Sequence, residues 1–157
     1  MQTQVMFYLL PDEDKADASE INTSTALYHA CLQASYFYRQ NQRVFIYTQD
    51  KSNAEQVDEM LWAFDSDSFV PHNLSGEGPK QGAAVEISHQ APRSRRPVLI
   101  NLTSTVPDFA SQFQFMVDFV PSDATLKQLA RERFKTCRQR GFQVDNQAVS
   151  TTQTTIM

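Results

Sequence analysis

Val5-Met6-Phe7-Tyr8-Leu9-Leu10 and Val44-Phe45-Ile46-Tyr47 are short apolar runs of strand-forming residues. Between them Ile21, Leu27, Ala30, Cys31, Ala34 and the Phe37-Tyr38 pair recur at helical spacing from Ser19 to Asn41. Apolar runs without polar alternation read as strands buried on both faces, and strand, amphipathic helix, buried strand is the signature of a parallel sheet covered by helices. Downstream, Ser52 to Phe64 sets Ala54, Val57 and Leu61 on one helical face. Residues 65–83 hold three of the four glycines and two prolines, so this stretch reads as a turning loop with one extended piece, Ser68-Phe69-Val70. Ala84-Val85-Glu86-Ile87 and Val98-Leu99-Ile100-Asn101-Leu102 are further strands, separated by the tip Arg93-Ser94-Arg95-Arg96. A short helix near Pro107–Ser111 precedes a strand from Phe113 to Val120, which Pro121 closes. Ser122 or Asp123 can cap a last helix running to about Arg140, with Gly141 placed as its C′ residue. The expected fold is α/β: a single-domain open, mostly parallel sheet with helices on both faces, over residues 1–145. After Asp145 no period is visible, and 146–157 read as a C-terminal tail.

At 157 residues, with 11 Phe, 5 Tyr and 1 Trp, the chain can fill the core of one ordinary domain. No apolar run is long enough to span a membrane, and Met1-Gln2-Thr3-Gln4 lacks the basic flank and apolar stretch of a signal peptide. The expectation is a cytoplasmic protein whose two cysteines, Cys31 and Cys137, are reduced thiols. The net charge of −4 speaks against a general nucleic-acid binder but hides an asymmetry. Asp12, Glu13, Asp14, Asp17 and Glu20 outweigh Lys15 at the start, whereas Lys127, Arg131, Arg133, Lys135, Arg138 and Arg140 outweigh Asp123 and Glu132 in the last helix. Charge alone leaves a solvated face and a docking site equally open.

The sheet invites a nucleotide, but the phosphate motifs are missing. No Gly-x-x-x-x-Gly-Lys-Ser/Thr occurs, and Pro11-Asp12-Glu13-Asp14 follows the first strand where a dinucleotide fingerprint needs glycines. Gly76-Glu77-Gly78-Pro79-Lys80-Gln81-Gly82 has the wrong spacing, and Pro79 removes an amide. His29, His72 and His89 stand away from both cysteines, so neither a metal nor a cofactor is expected. His72 has no nucleophile motif beside it and reads first as a hydrogen-bonded loop histidine; no catalytic residue is assigned. The rival to a binding protein is a nucleotide-dependent α/β enzyme using the 72–82 loop.

Two surfaces have the composition of docking sites. At 100° per residue, Leu126, Leu129, Ala130 and Cys137 form the core side of the last helix, with Arg133 awkwardly among them, where it must snorkel or pair. Opposite lie Lys127, Arg131, Phe134, Lys135 and Arg138. A phenylalanine inside a basic stripe suits an acidic peptide with an apolar anchor. The second surface is Trp62 with Phe69, Val70 and Leu74, residues that serve equally well as interface anchors or as core.

Asp58-Glu59-Met60-Leu61-Trp62, Ser68-Phe69-Val70-Pro71-His72-Asn73-Leu74-Ser75-Gly76-Glu77-Gly78-Pro79, Val117-Asp118-Phe119-Val120-Pro121 and Leu126-Lys127-Gln128-Leu129-Ala130-Arg131-Glu132-Arg133-Phe134-Lys135 together resemble the chi subunits of bacterial DNA polymerase III, over about residues 5–145. The resemblance implies a non-enzymatic accessory subunit of the clamp-loader assembly. It implies a one-to-one partnership with the psi subunit through Trp62, Phe69, Val70, Pro71 and Leu74. It also implies binding of the acidic, phenylalanine-terminated tail of single-stranded-DNA-binding protein through Val120, Lys127, Arg131, Phe134, Lys135, Arg138, Gly141, Phe142 and Gln143. Phe134 stands where the family also has tyrosine, which loses a phenolic hydrogen bond and keeps the apolar wall. A repair helicase sharing the psi face stays open. Direct single-stranded-DNA binding by the basic helix is a third reading, opposed by the overall acidity and by the poor stacking platform that one helix with one aromatic makes; no sequence-specific DNA binding is expected.

Overall fold

The structure, a computed structural model, describes residues 2–11, 18–64, 70–77 and 82–149, without the side chains of 18–24 and 64. In chain order the elements are β1 (Gln4–Leu9), α1 (Ala18–Arg39), β2 (Val44–Thr48), α2 (Lys51–Phe64), β3 (His72–Leu74), β4 (Val85–Ser88), β5 (Val98–Leu102), a 3-10 turn (Asp108–Gln112), β6 (Phe115–Val120), α3 (Ala124–Gln139) and β7 (Gln143–Ala148). They build one open seven-stranded sheet in the order β3-β4-β2-β5-β6-β1-β7. Every pairing between described strands is parallel.

The pleat sorts the apolar runs onto two faces. In β2, Val44 and Ile46 join Leu27, Ala30, Cys31 and Ala34 of α1 and Ala54, Val57 and Leu61 of α2 in one core cluster. Phe45, between them in sequence, points the other way and joins Phe7, Leu99, Met116, Phe113 and Cys137 in a second cluster beneath α3 and the 3-10 turn. Consecutive strand residues serving opposite cores explain why these runs show no alternation.

Two strands escape a reading by hydropathy. His72–Leu74 lies in the stretch read as loop, yet pairs with β4 at the sheet edge. The Asn73 side chain ties it down, donating to the Leu74 and Glu77 carbonyls at 2.6 and 2.7 Å and accepting from the Ala83 amide at 2.6 Å. Gln143–Ala148 is largely exposed and polar, and is held by its register on β1, from Gln4 opposite Gln143 to Leu9 opposite Ala148. The sheet thus takes in residues 146–148, which the sequence reading gave to the tail; 150–157 lie outside the described residues.

The ends of α3 are as expected. Asp123 caps it, its carboxylate accepting from the Leu126 amide at 3.0 Å. Gly141 takes φ +83° just past the C-cap. The Gly141 amide then reaches the Arg138 carbonyl at 3.0 Å and the Phe142 amide the Cys137 carbonyl at 3.1 Å, the paired bonds of a Schellman motif.

Candidate functional site

α3 lies across the end of the sheet formed by β6, β1 and β7, and between them runs a groove of about 710 Å³. Its floor is Phe7, Leu9 and Val120 from the strands and Ala130 and Phe134 from the helix; its rim is Lys127, Arg131, Lys135, Arg138, Gln139 and, across the gap, Asn146. Phe134 is fixed by the fully buried Phe7 ring, centroid to centroid 5.2 Å at 55°. Leu9 stays 39% exposed, although Val5 and Phe7 of the same strand face are buried. Lys127, Arg131 and Lys135 follow at one-turn intervals and Arg138 three residues later, so the charges line one wall. Among the described residues no carboxylate forms an ion pair with any of the four. The groove therefore offers unneutralised cations around an apolar floor, which suits a carboxylate-bearing ligand with a bulky apolar end.

Six of the nine residues expected at this site line the groove: Val120, Lys127, Arg131, Phe134, Lys135 and Arg138. Gly141, Phe142 and Gln143 do not; they continue from the far end of α3, with Phe142 packed half-buried on the second core cluster. Phe7, Leu9, Gln139 and Asn146 were not foreseen. Period two places Phe7 and Leu9 on one face of β1, but only the strand order puts that face under α3.

Arg133, the awkward cation, is not part of the stripe. It is buried and bidentate on Asp118, with Nε and Nη2 both donating at 2.9 Å. Its remaining donors reach the Phe119 and Ser104 carbonyls at 3.1 and 3.3 Å. Burial pushes the Asp118 carboxyl up, against the pull of Arg133 and of hydrogen bonds from the Phe119 amide and Asn101. This cluster borders a smaller cleft of about 220 Å³ at the carboxyl ends of β5 and β6, between α1 and α3. Open α/β sheets bind ligands at such strand ends. Here the polar groups are already engaged with one another: Asn101 donates to Asp118 at 3.3 Å and accepts from the Thr103 hydroxyl at 2.6 Å. Cys31 and Cys137 are fully buried, and burial raises both thiols to about 12, which leaves neither a nucleophile. Among the described residues no three His, Cys, Asp or Glu side chains could hold a metal ion together.

On the opposite edge of the sheet, Trp62 is 62% exposed. Its ring meets His72 edge-on at 4.8 Å, and His72 is held by its Nδ1–H donating to the Val70 carbonyl at 2.7 Å, with Asp58 at 3.5 Å from Nε2. His72 is thus a hydrogen-bonded histidine, as read, although it opens a strand. Val70, expected on the psi face, is instead a core residue, 2% exposed, while Pro71 and Leu74 are half-buried. Phe69 and residues 78–81 of the 72–82 loop lie outside the described residues.

Comparison with known proteins supplies the family. A family profile described as DNA polymerase III chi subunit, HolC, matches residues 1–145. The chain belongs to the DNA polymerase III chi subunit family. The DNA polymerase III subunit chi of Escherichia coli (strain K12) is 45% identical over 141 residues, covering 88% of this chain and 93% of that one. Those of Haemophilus influenzae and Pseudomonas aeruginosa are 37% and 30% identical, over 95% and 89% of this chain and 99% and 92% of theirs. A solved structure of T4 UvsW superposes with a TM-score of 0.62 at 11% identity, over 94% of this chain and 41% of that one, a likeness of fold alone.

Proposed function

We propose that this chain is a non-catalytic accessory subunit of a bacterial DNA polymerase III, acting in the cytoplasm at the replication fork as a two-sided adaptor. One side, the groove, takes the acidic, phenylalanine-terminated tail of single-stranded-DNA-binding protein; the other, around Trp62, takes the psi subunit of the clamp-loader assembly. The groove carries this reading: a row of cations without carboxylate partners among the described residues, above a floor of Phe7, Phe134 and Leu9, fits a peptide with both acidic residues and a terminal aromatic ring. The placement supports it as well. β3 and β7 are the two edges of the sheet, and α2 and α3 cover opposite faces, so neither partner obstructs the other. Tethering through two modest contacts raises effective concentration without requiring one tight interface.

The test is fluorescence anisotropy with a labelled acidic peptide ending in phenylalanine. Arg131→Ala weakens binding by roughly 1.5–3 kcal/mol, the value of a hydrogen bond to a charged group, and added salt weakens the wild type through screening. Trp62→Ala leaves peptide binding and melting temperature unchanged, since the side chain is mostly exposed, and removes co-purification with psi. Unchanged peptide affinity in Arg131→Ala defeats the groove assignment; normal psi co-purification in Trp62→Ala defeats the other.

A further inference from the structure

Trp62 is the most exposed large apolar side chain among the described residues, ahead of Tyr28 and Leu9. An indole that reaches so far into solvent has torsions to immobilise when a partner covers it, and that ordering is subtracted from the binding energy. The groups beside it bear directly on this cost. Asp58 and Trp62 lie one turn apart on α2 and share a face. His72 comes from another element, as the first residue of β3, and meets the indole at 4.8 Å between centroids with an interplanar angle of 65°. Ring pairs at this spacing attract beyond the area they bury. The imidazole is fully buried, and Asp58 Oδ1 stands 3.5 Å from its Nε2. A carbonyl only accepts, so the 2.7 Å contact with the Val70 carbonyl fixes Nδ1 as a donor and with it the orientation of the ring. The support is stiff. Val70 is in the core, Pro71 restricts the backbone between it and His72, and the bonds of Asn73 hold β3 in place. α2 sits on the same core cluster through Ala54, Val57 and Leu61.

We propose that His72, oriented by the Val70 carbonyl and by Asp58, is a pedestal that holds the Trp62 indole in one orientation before any partner arrives, so that the psi subunit meets an anchor already ordered. His72 and Asp58 are positioning residues: they act through Trp62. The proposal rests on the reading of the Trp62 face as the psi site and adds to it the reason an exposed anchor can bind without the full cost of being ordered.

Trp62 is the only tryptophan of the chain, so its emission reports this ring alone. The experiment combines time-resolved fluorescence anisotropy of the full chain without psi, its melting temperature, and psi affinity by isothermal titration. In the wild type the indole turns with the whole molecule. His72→Asn keeps a donor for the Val70 carbonyl and removes the ring. The indole then gains nanosecond motion of its own, and psi binding weakens about two- to tenfold, the scale of ordering one side chain. Asp58→Ala, at a partly exposed position on α2, shifts both in the same direction by less, with an unchanged melting temperature. Asp58→Asn, whose amide can donate to Nε2 or accept from it, keeps both at wild-type values. If His72→Asn unfolds the edge of the sheet, the two Asp58 variants decide alone. The proposal falls if the wild-type indole already moves independently, if the His72 and Asp58→Ala variants leave its motion unchanged, or if its motion rises while psi affinity holds. It falls as well if Asp58→Asn behaves like Asp58→Ala, which marks a charge contact with psi. Unchanged psi affinity in Trp62→Ala defeats the reading of the face and the proposal with it; indole motion, which needs no partner, tells that failure from a failure of the pedestal.

Discussion

Arg133 carries the sharpest energetic statement a single residue makes in this fold. Hydropathy assigns it to the wrong side of α3, and the conflict is resolved by Asp118, an acid in the middle of an apolar strand whose purpose is equally invisible alone. Fifteen residues separate the two in sequence, and nothing in their local patterns links them. A buried pair of this kind need not exceed a well-packed apolar pair in stability, but breaking it strands a charge. Arg133→Met is therefore expected to cost about 3–5 kcal/mol in urea denaturation, and Asp118→Leu combined with it to recover part of that loss. Equal stability of wild type and Arg133→Met would mean that the carboxylate finds another partner or takes up a proton at little cost. The same reasoning separates Arg133 from its neighbours on the helix. Arg131 is exposed, so its removal is expected to register in binding and hardly at all in stability.

At the level of elements, the helix ends were the most readable features and the sheet edges the least. Asp123 and Gly141 announce the two ends of α3 by chemistry that acts within a few residues, so sequence suffices. β3 and β7 are edge strands with polar composition, stabilised by a long-range partner and by Asn73, and no local period betrays them. The groove was half legible for the same reason. Its helical wall follows from 100° geometry, while its strand floor depends on β1 lying beside β6 and β7. The left-handed turn at Gly141 gives a clean test of element-level energetics. A Cβ there meets nothing within 4 Å, so Gly141→Ala carries only the backbone penalty of φ +83°. That penalty is about 1–2 kcal/mol, measured as a fall in urea midpoint with unchanged m-value. A larger loss with a changed m-value would point to unravelling of α3 into β7.

On the scale of the whole molecule, the strand order sets β1, in the floor of the groove, five strand spacings from β3 beside the Trp62 face, roughly 24 Å at about 4.8 Å per strand. The alternation of strand and helix was enough to expect an open parallel sheet, whereas the order of strands within it, and hence this separation, was not available from any local pattern. The same order has a consequence for how the protein is made. Among the described strands β1 leaves the ribosome first, yet both its neighbours, β6 and β7, are the last two. At ~5–20 residues per second, a wait on the order of 5–20 s passes before β6 has been synthesised. During that interval Val5 and Phe7, buried in the finished protein, have no strand to pair with. Stalled nascent chains that stop short of residue 115 should be cut readily within residues 4–9 by a protease, and those extended past 148 with the tunnel cleared should resist. Protection of the early strand in the shorter chains would show that it finds a temporary shelter elsewhere. The earliest described strand is thus paired only by the two latest, so its apolar residues stay without the neighbours that bury them until β6 has been made.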